Sequence, residues 1–348
     1  MRYCLQTMAW AKPLYHKAAV DQAGRILIDS SASPAARSVA LGVIGNWRSS
    51  HGHPLNTFQM TLRNKVKQVS DSGLVAQRMK RLSSIESKLR RFDWLTLSEM
   101  QDMAGCRAIV NSVQRVRGLV RLYKGSRLQH VLDDQDDYIT NPKPSGYRGY
   151  HLIYRYRSDR DPSYDGLKVE MQIRSRLQHA WATAVETVDT FQLGALKAGQ
   201  GEKDWRRFFA LMGGAIALRE KAPPVPRTPT TQHELVVELR DYVARLHVEQ
   251  KLLAYGAALR FNPQDDAIAK GAKYYLLHLE QNTTALWAFK DLKKASEQYL
   301  DLETRTAGRP EADVVLVSVE SVAALRRAYP NYFLDTRAFV NAVMTAIA

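Results

Sequence analysis

Apolar residues along this chain of 348 residues recur with two periods. Over residues 36–69 they return every three to four positions, which predicts helix, and the same reading over residues 73–92 predicts a second, strongly basic helix. Ala104–Val110 (A-G-C-R-A-I-V) reads as a short apolar strand and Val113–Tyr123 as a helix. Leu128–Leu132 reads as a strand leading into the acidic patch Asp133–Asp137. Tyr150–Tyr156 and Leu167–Ile173 predict two more strands, joined by a turn-rich stretch holding Asp161-Pro162 and Asp165-Gly166. Arg176–Phe191 and Glu202–Lys221 return to helical spacing. Strands mixed with flanking helices predict an α+β domain.

Lys221–Thr231 (K-A-P-P-V-P-R-T-P-T-T) has four prolines in eleven residues and no apolar period. It reads as a semi-rigid linker, dividing residues 1–221 from residues 232–348. Downstream, Glu234–Ala258 predicts a long amphipathic helix. Lys273–Leu279 and Ala285–Phe289 predict a hairpin around Gln281-Asn282. A helix (Asp291–Thr306), a strand (Val314–Val319) and two short helices complete a small C-terminal α+β domain.

Composition narrows the class. Hydrophobic residues make up 45% of the chain, enough for a sizeable core. No apolar run reaches the length of a membrane span, and the N-terminus lacks the features of a secretion signal. Cys4 and Cys106 lie far apart without metal-ligand spacing, so a reducing cytoplasm is the expected compartment. Charge is uneven: residues 1–221 hold 35 Lys and Arg against 20 Asp and Glu, whereas residues 222–348 hold 15 of each. A basic domain beside a neutral one suits a polyanionic partner, although a solvated basic surface would look the same.

Four segments carry candidate chemistry. In V-E-M-Q-I-R, strand alternation puts Glu170, Gln172 and Arg174 on one face and Val169, Met171 and Ile173 on the other. Asp102 stands two residues before the strand that carries Gly105 and Arg107; if that strand neighbours Glu170, the two carboxylates suit Mg²⁺ with substrate phosphates. In the predicted basic helix, Lys80, Ser84 and Lys88 form one stripe, with Arg78, Arg81 and Arg91 beside it. Such a stripe suits a triphosphate. The loop D-Y-I-T-N-P-K-P-S-G-Y-R-G-Y-H carries an exposed Tyr147, able to stack on a base, with Lys143, Arg148 and His151 able to bind phosphate.

These four elements, in this order, resemble the RelA/SpoT-type alarmone synthetase domain. The matching patterns are R-x-K-x-x-x-S-I-x-x-K (Arg78–Lys88), D-x-x-G-x-R (Asp102–Arg107), P-K-P-S-G-Y-x-x-x-H (Pro142–His151) and E-x-Q-I-R (Glu170–Arg174). The resemblance covers roughly residues 40–215. It implies a nucleotidyltransferase-like α+β fold, a mixed sheet flanked by helices. It implies ATP as donor, held by Arg78, Lys80, Ser84, Lys88 and Arg107, and Mg²⁺ held by Asp102 and Glu170. Glu170 is then the base, and Lys143, Tyr147, Arg148, His151, Gln172 and Arg174 form the acceptor side. The implied reaction transfers the β,γ-pyrophosphate of ATP to a ribose 3′-hydroxyl. Long members of that family carry a His-Asp hydrolase domain; no such pair occurs here, so alarmone hydrolysis is not expected.

A-Y-P-N-Y-F (Ala328–Phe333) resembles the neutralising segment of CapRel-type fused toxin–antitoxin proteins, and N-W-R-S-S-H-G-H-P-L (Asn46–Leu55) resembles the toxic branch of small alarmone synthetases. That likeness implies tRNA, modified at the 3′ end of its CCA tail, as acceptor. It also implies autoinhibition through Ala328, Tyr329 and Tyr332, and release by a phage protein such as a major capsid protein in antiphage defence. Two rival readings stay open: an alarmone synthetase using free guanosine or adenosine nucleotides, and a catalytically inactive nucleotide or RNA sensor.

Overall fold

The structure is a computed structural model that describes residues 10–192, 200–249, 252, 272–280, 283–306, 309, 312–318 and 336–348. It opens with a helix that the sequence pattern did not predict, α1 (Lys17–Ile28), capped by His16, whose Nδ1 accepts the Ala19 amide. The predicted 36–69 helix is two, α2 (Pro34–Ser50) and α3 (Gly52–Val69), hinged at buried His51.

The expected helix over residues 73–92 is corrected in its first half. Leu74–Met79 is a strand, β1, and only Leu82–Arg91 is helical (α4). β1 runs antiparallel to β2 (Ala104–Val110), from Leu74 opposite Ile109 to Met79 opposite Ala104. The Lys80 amide extends that ladder by donating to the Met103 carbonyl at 2.9 Å. A complete ladder with Ala76 buried overrides the helical spacing of the sequence. After α5 (Val113–Lys124), the next strand is Val131–Asp137 (β3), so the acidic patch forms most of the strand itself instead of lying beyond its end. Two of its four aspartates form ion pairs: Asp133 with Arg155 and Lys168, and Asp137 with Arg117.

β4 (Tyr150–Arg155) and β5 (Lys168–Ser175) fall where expected, and α6 (Arg176–Gln192) and α7 (Gln200–Arg219) come after them. β5 is parallel to β2, and the other pairs are antiparallel, giving a mixed sheet β3-β4-β5-β2-β1. α8 (Gln232–Leu246) stops short of the predicted Ala258, because His247 turns into the left-handed region at φ 50° and closes the helix. β6 (Tyr274–Glu280) and β7 (Thr283–Phe289) form the expected hairpin, and α9 (Leu292–Thr306), β8 (Ala312–Ser318) and α10 (Arg337–Ile347) lie beyond it in the chain. β8 pairs with β1 at Gln77–Ser318 and Arg78–Val317, extending the sheet to eight strands as β3-β4-β5-β2-β1-β8-β6-β7.

Packing crosses residues 222–231. One core lies between the first five strands and α1–α5. A second gathers Trp181 and Phe208 of α6 and α7 with Leu239 of α8 and Phe339 of α10. A third joins β6, β8 and α9 through Leu276, Tyr299 and Leu316. Among the described residues no helix is long and apolar enough to cross a membrane.

Candidate active site

Alternation along β5 works as the sequence implies. Val169, Met171 and Ile173 are fully buried in the first core, which leaves Glu170, Gln172 and Arg174 on the opposite face. β2 lies alongside in register, with Gly105 beside Glu170 and Arg107 beside Gln172. The row is joined by hydrogen bonds: Gln172 Nε2 donates to Glu170 Oε2 at 3.0 Å, and both Arg174 and Arg107 donate to Gln172 Oε1, at 3.0 and 3.3 Å. Gly105 leaves the strand bare beside Glu170, and a Cβ there would make only an ordinary contact, 3.5 Å from the Glu170 carbonyl.

Asp102 sits at the entry to β2 and draws two cations together. Lys80 Nζ reaches Asp102 Oδ2 at 2.7 Å, and Lys88 Nζ reaches Oδ1 at 2.9 Å. Lys80 leaves the end of β1 whereas Lys88 is on α4, so the two lysines meet at one carboxylate without sharing a helix. Burial works to raise the Asp102 carboxyl, but Lys80 and Lys88 outweigh it and hold it at about 2. The Lys80 ammonium is itself lowered, first by burial and then by Lys88 and Arg78, against the pull of Asp102. Ser84 is half-buried on α4, and Arg78 on β1 lines a cavity with Gly45, Arg48, Tyr299, Leu300 and Leu316.

Tyr147 is half-buried, not an exposed loop ring. Gly146, at φ +92°, lets the loop touch α7 so closely that a Cβ there would lie 2.6 Å from the Phe209 carbonyl. This contact turns Tyr147 toward the strand face. Arg174 Nη2 donates to its hydroxyl at 2.8 Å, and His151 Nε2 lies 2.6 Å from the same oxygen. The other nitrogen of His151, Nδ1, is 2.8 Å from Glu170 Oε1. A continuous chain therefore runs Arg174–Tyr147–His151–Glu170. Burial opposes charge on His151, but Tyr147 and Glu170 outweigh it and raise the imidazole to about 9. Glu170 responds in kind: burial would raise its carboxyl, yet His151 holds it below the ordinary range. Tyr138 and Trp181 meet the Tyr147 ring edge-on, at 5.6 and 6.2 Å between centroids.

Two expected residues sit differently. Lys143 stays exposed, its ammonium over the Tyr138 ring at 4.2 Å. Arg148 leaves the site altogether: its side chain is 2% exposed and donates to the Ile139 carbonyl at 3.0 Å and to the Pro223 carbonyl. It ties the loop to the chain beyond α7 instead of facing an anion. Ala328, Tyr329 and Tyr332 lie outside the described residues.

Sequence patterning assigns no role to Arg48 or Glu303. Arg48 on α2 and Glu303 on α9 form an ion pair at 2.5 Å, 3% and 8% exposed. Glu303 also accepts the Leu82 amide, the first of α4, at 2.9 Å and the Tyr299 hydroxyl at 2.6 Å. Arg48 donates to the Lys80 carbonyl at 2.8 Å and lies over the Tyr299 ring. Arg48 falls inside the Asn46–Leu55 segment that the sequence singles out; nothing in the local pattern marks Glu303.

Known proteins match parts of this chain. Residues 77–189 match the family model described as the region found in RelA / SpoT proteins. The chain is 35% identical over 111 residues to the GTP pyrophosphokinase YjbM of Bacillus subtilis, covering 31% of this chain and 52% of that one. It is 32% identical over 111 residues to the GTP pyrophosphokinase YwaC of the same organism, again covering 52% of the relative. The chain thus spans about half the length of these curated relatives. The crystal structure of the small alarmone synthetase 1 from Bacillus subtilis is 25% identical and matches over 49% of this chain and 88% of its own, with a TM-score of 0.41.

Proposed function

We propose that this protein is a pyrophosphokinase of the RelA/SpoT type, moving the β,γ-pyrophosphate of ATP onto a ribose 3′-hydroxyl. The observation that carries this reading is the placing of Glu170 and its polar row on β5 beside the parallel β2, at whose entry Asp102 holds Lys80 and Lys88. The match of residues 77–189 to the RelA / SpoT region supports it independently.

In this reading the acceptor oxygen attacks the β-phosphorus, the α–β bridging bond breaks, AMP leaves and Glu170 takes the hydroxyl proton. Lys80 and Lys88 offset the charge of the transferring group, for which Asp102 holds them in place. The all-oxygen pair Asp102 and Glu170 suits Mg²⁺, which takes one or two carboxylates and completes its shell from water and phosphate. Bound there, the ion would neutralise phosphate charge. Tyr147, fixed by Arg174 and His151, offers its ring to the acceptor base.

Two acceptors remain for this chemistry. The excess of 35 cations over 20 carboxylates in residues 1–221 favours a polyanion and supports tRNA. The likeness to GTP pyrophosphokinases supports free guanosine nucleotides, the alarmone reading. Incubating the protein with ATP labelled in the β or γ phosphate together with tRNA, GDP or both decides between them by which acceptor gains label.

The C-terminal unit, in this proposal, restrains catalysis, and an external protein such as a phage protein relieves it by binding the released form better. Support comes from Glu303, which reaches the start of α4 and, through Arg48, the loop of Lys80, and from β8, which lies against β1.

A further inference from the structure

Helix α5 and the turn after it gather cations without a single carboxylate in the same stretch. Four exposed cations on other helices are matched one turn away: Arg90 to Glu86, Arg245 to Asp241, Arg305 to Asp301 and Lys293 to Glu297. Between Asn111 and Leu132 there is no aspartate or glutamate, while Arg115, Arg117, Arg121, Lys124 and Arg127 all fall there. Arg117 pairs with Asp137. Arg115, Arg121, Lys124 and Arg127 are exposed and form no ion pair among the described residues. The neighbouring acidic strand forms no ion pair with them among the described residues: Asp133 meets Arg155 and Lys168, Asp137 meets Arg117, Asp134 accepts from Gln101, and Asp136 is hydrogen-bonded to Tyr138.

This placement works against the helix itself. Arg121 and Lys124, neighbours at i and i+3, repel, and Arg115 stands in the first turn, where the helix dipole disfavours a cation. An anion lying along the outer face relieves both. Position then narrows its kind. α5 turns Val116, Leu119, Val120 and Tyr123 into the same core as Val169, Met171 and Ile173, so it covers the face of the sheet opposite Glu170. Its cations and the candidate base lie on two sides of a sheet and a helix, roughly 10 Å of helix diameter apart at the least. A single nucleotide at Tyr147 cannot touch both. The link between the sides is Arg117, which donates to Thr140 Oγ1 at 2.7 Å, at the start of the loop that ends in Tyr147.

We propose that the outer face of α5 docks the sugar–phosphate backbone of an RNA whose 3′-terminal ribose enters the Glu170 site by way of the loop from Asp137 to Tyr147. The proposal rests on the pyrophosphokinase reading and names its acceptor as a polymer. Phosphate contacts of this sort supply affinity and register, not sequence preference.

The test uses the full chain, bulk tRNA labelled at its 5′ end, and the triple variant Arg115→Gln, Arg121→Gln, Lys124→Gln, with a thermal melt to confirm that the variant folds. Fluorescence anisotropy across a salt series gives the affinity and its salt slope. Losing three phosphate contacts should weaken tRNA binding about 10-fold or more at low salt and flatten the slope of log K against log salt by roughly two to three. The ratio of label on tRNA to label on GDP should fall in step. Equal affinity and slope in variant and wild type overturns the docking face, as does a wild-type protein that labels GDP yet does not bind tRNA. If neither the wild type nor Glu303→Ala, which breaks the link from the C-terminal unit to α2 and α4, labels either acceptor, the pyrophosphokinase reading is overturned instead.

Discussion

Replacing Glu303 with alanine tests how strongly the C-terminal unit is joined to α2 and α4. The substitution leaves the Arg48 guanidinium, 3% exposed, without its partner, and removes the acceptor for the Leu82 amide and the Tyr299 hydroxyl. Breaking a buried ion pair from one side costs about 3–5 kcal/mol, because the remaining charge stays desolvated. A lost helix cap is worth about 1 kcal/mol and a lost hydroxyl bond about as much. All three act through one carboxylate, so they do not add, and about 3–5 kcal/mol is the expected total. Urea denaturation of Glu303→Ala, Arg48→Met and the double variant measures it. The double variant should recover a large part of the loss, since a buried pair replaced by apolar groups of similar size is often near neutral. Amide exchange should accelerate around Leu82 and along Leu292–Thr306 before it does in β2 and β5. A loss below about 1 kcal/mol for either single variant, with no coupling between them, would refute the argument.

Further outcomes concern the site and its supports. Glu170→Gln keeps the shape of the side chain but cannot accept the proton, and should reduce transfer by roughly 10²–10⁴-fold with tRNA or GDP as acceptor. Gly213→Ala on α7 places a Cβ 2.6 Å from the Gly146 Cα, so the loop must lift; the acceptor KM should rise several-fold with the ATP KM little changed. His51, buried and with Nδ1 2.7 Å from the Trp47 carbonyl, is lowered by burial to about 4. Neutral in both states above the unfolded value of about 6.5, it costs nothing there; as pH falls from about 6.5 to 4 the unfolded chain binds the proton first. Stability should therefore drop by up to about 3 kcal/mol across that window, and a His51→Gln variant should show a flatter pH profile in denaturant melts.

The strand that carries Glu170 was legible because alternation of period two with three apolar residues on one side leaves little freedom. The parallel neighbourhood of β2 and β5 was not, since no local signal encodes which strands pair. The basic stripe misled in an instructive way. Lys80 and Lys88 are eight residues apart, which suits a helix, but β1 claims the first part of the segment through its ladder with β2. The lysines still converge, because both reach Asp102. Arg148 read as a phosphate ligand from its neighbours in the loop, whereas its exposure of 2% makes it a brace. Glu303 lay beyond sequence reasoning for a physical reason: its meaning comes from Arg48, 255 positions away, and from the end of a helix it does not belong to.

That separation has a consequence in time. Every residue from Arg78 to Arg174 leaves the ribosome well before Glu303, with roughly 130 residues between Arg174 and Glu303 still to be made. At about 5–20 residues per second the gap is roughly 6–26 s. During it Arg48 has no carboxylate, and the β1 edge that β8 later covers at Gln77 and Arg78 stands open. Each molecule of this protein therefore passes through an interval at birth when β1, β2 and β5 exist and the segments that later pack on α2, α4 and β1 do not.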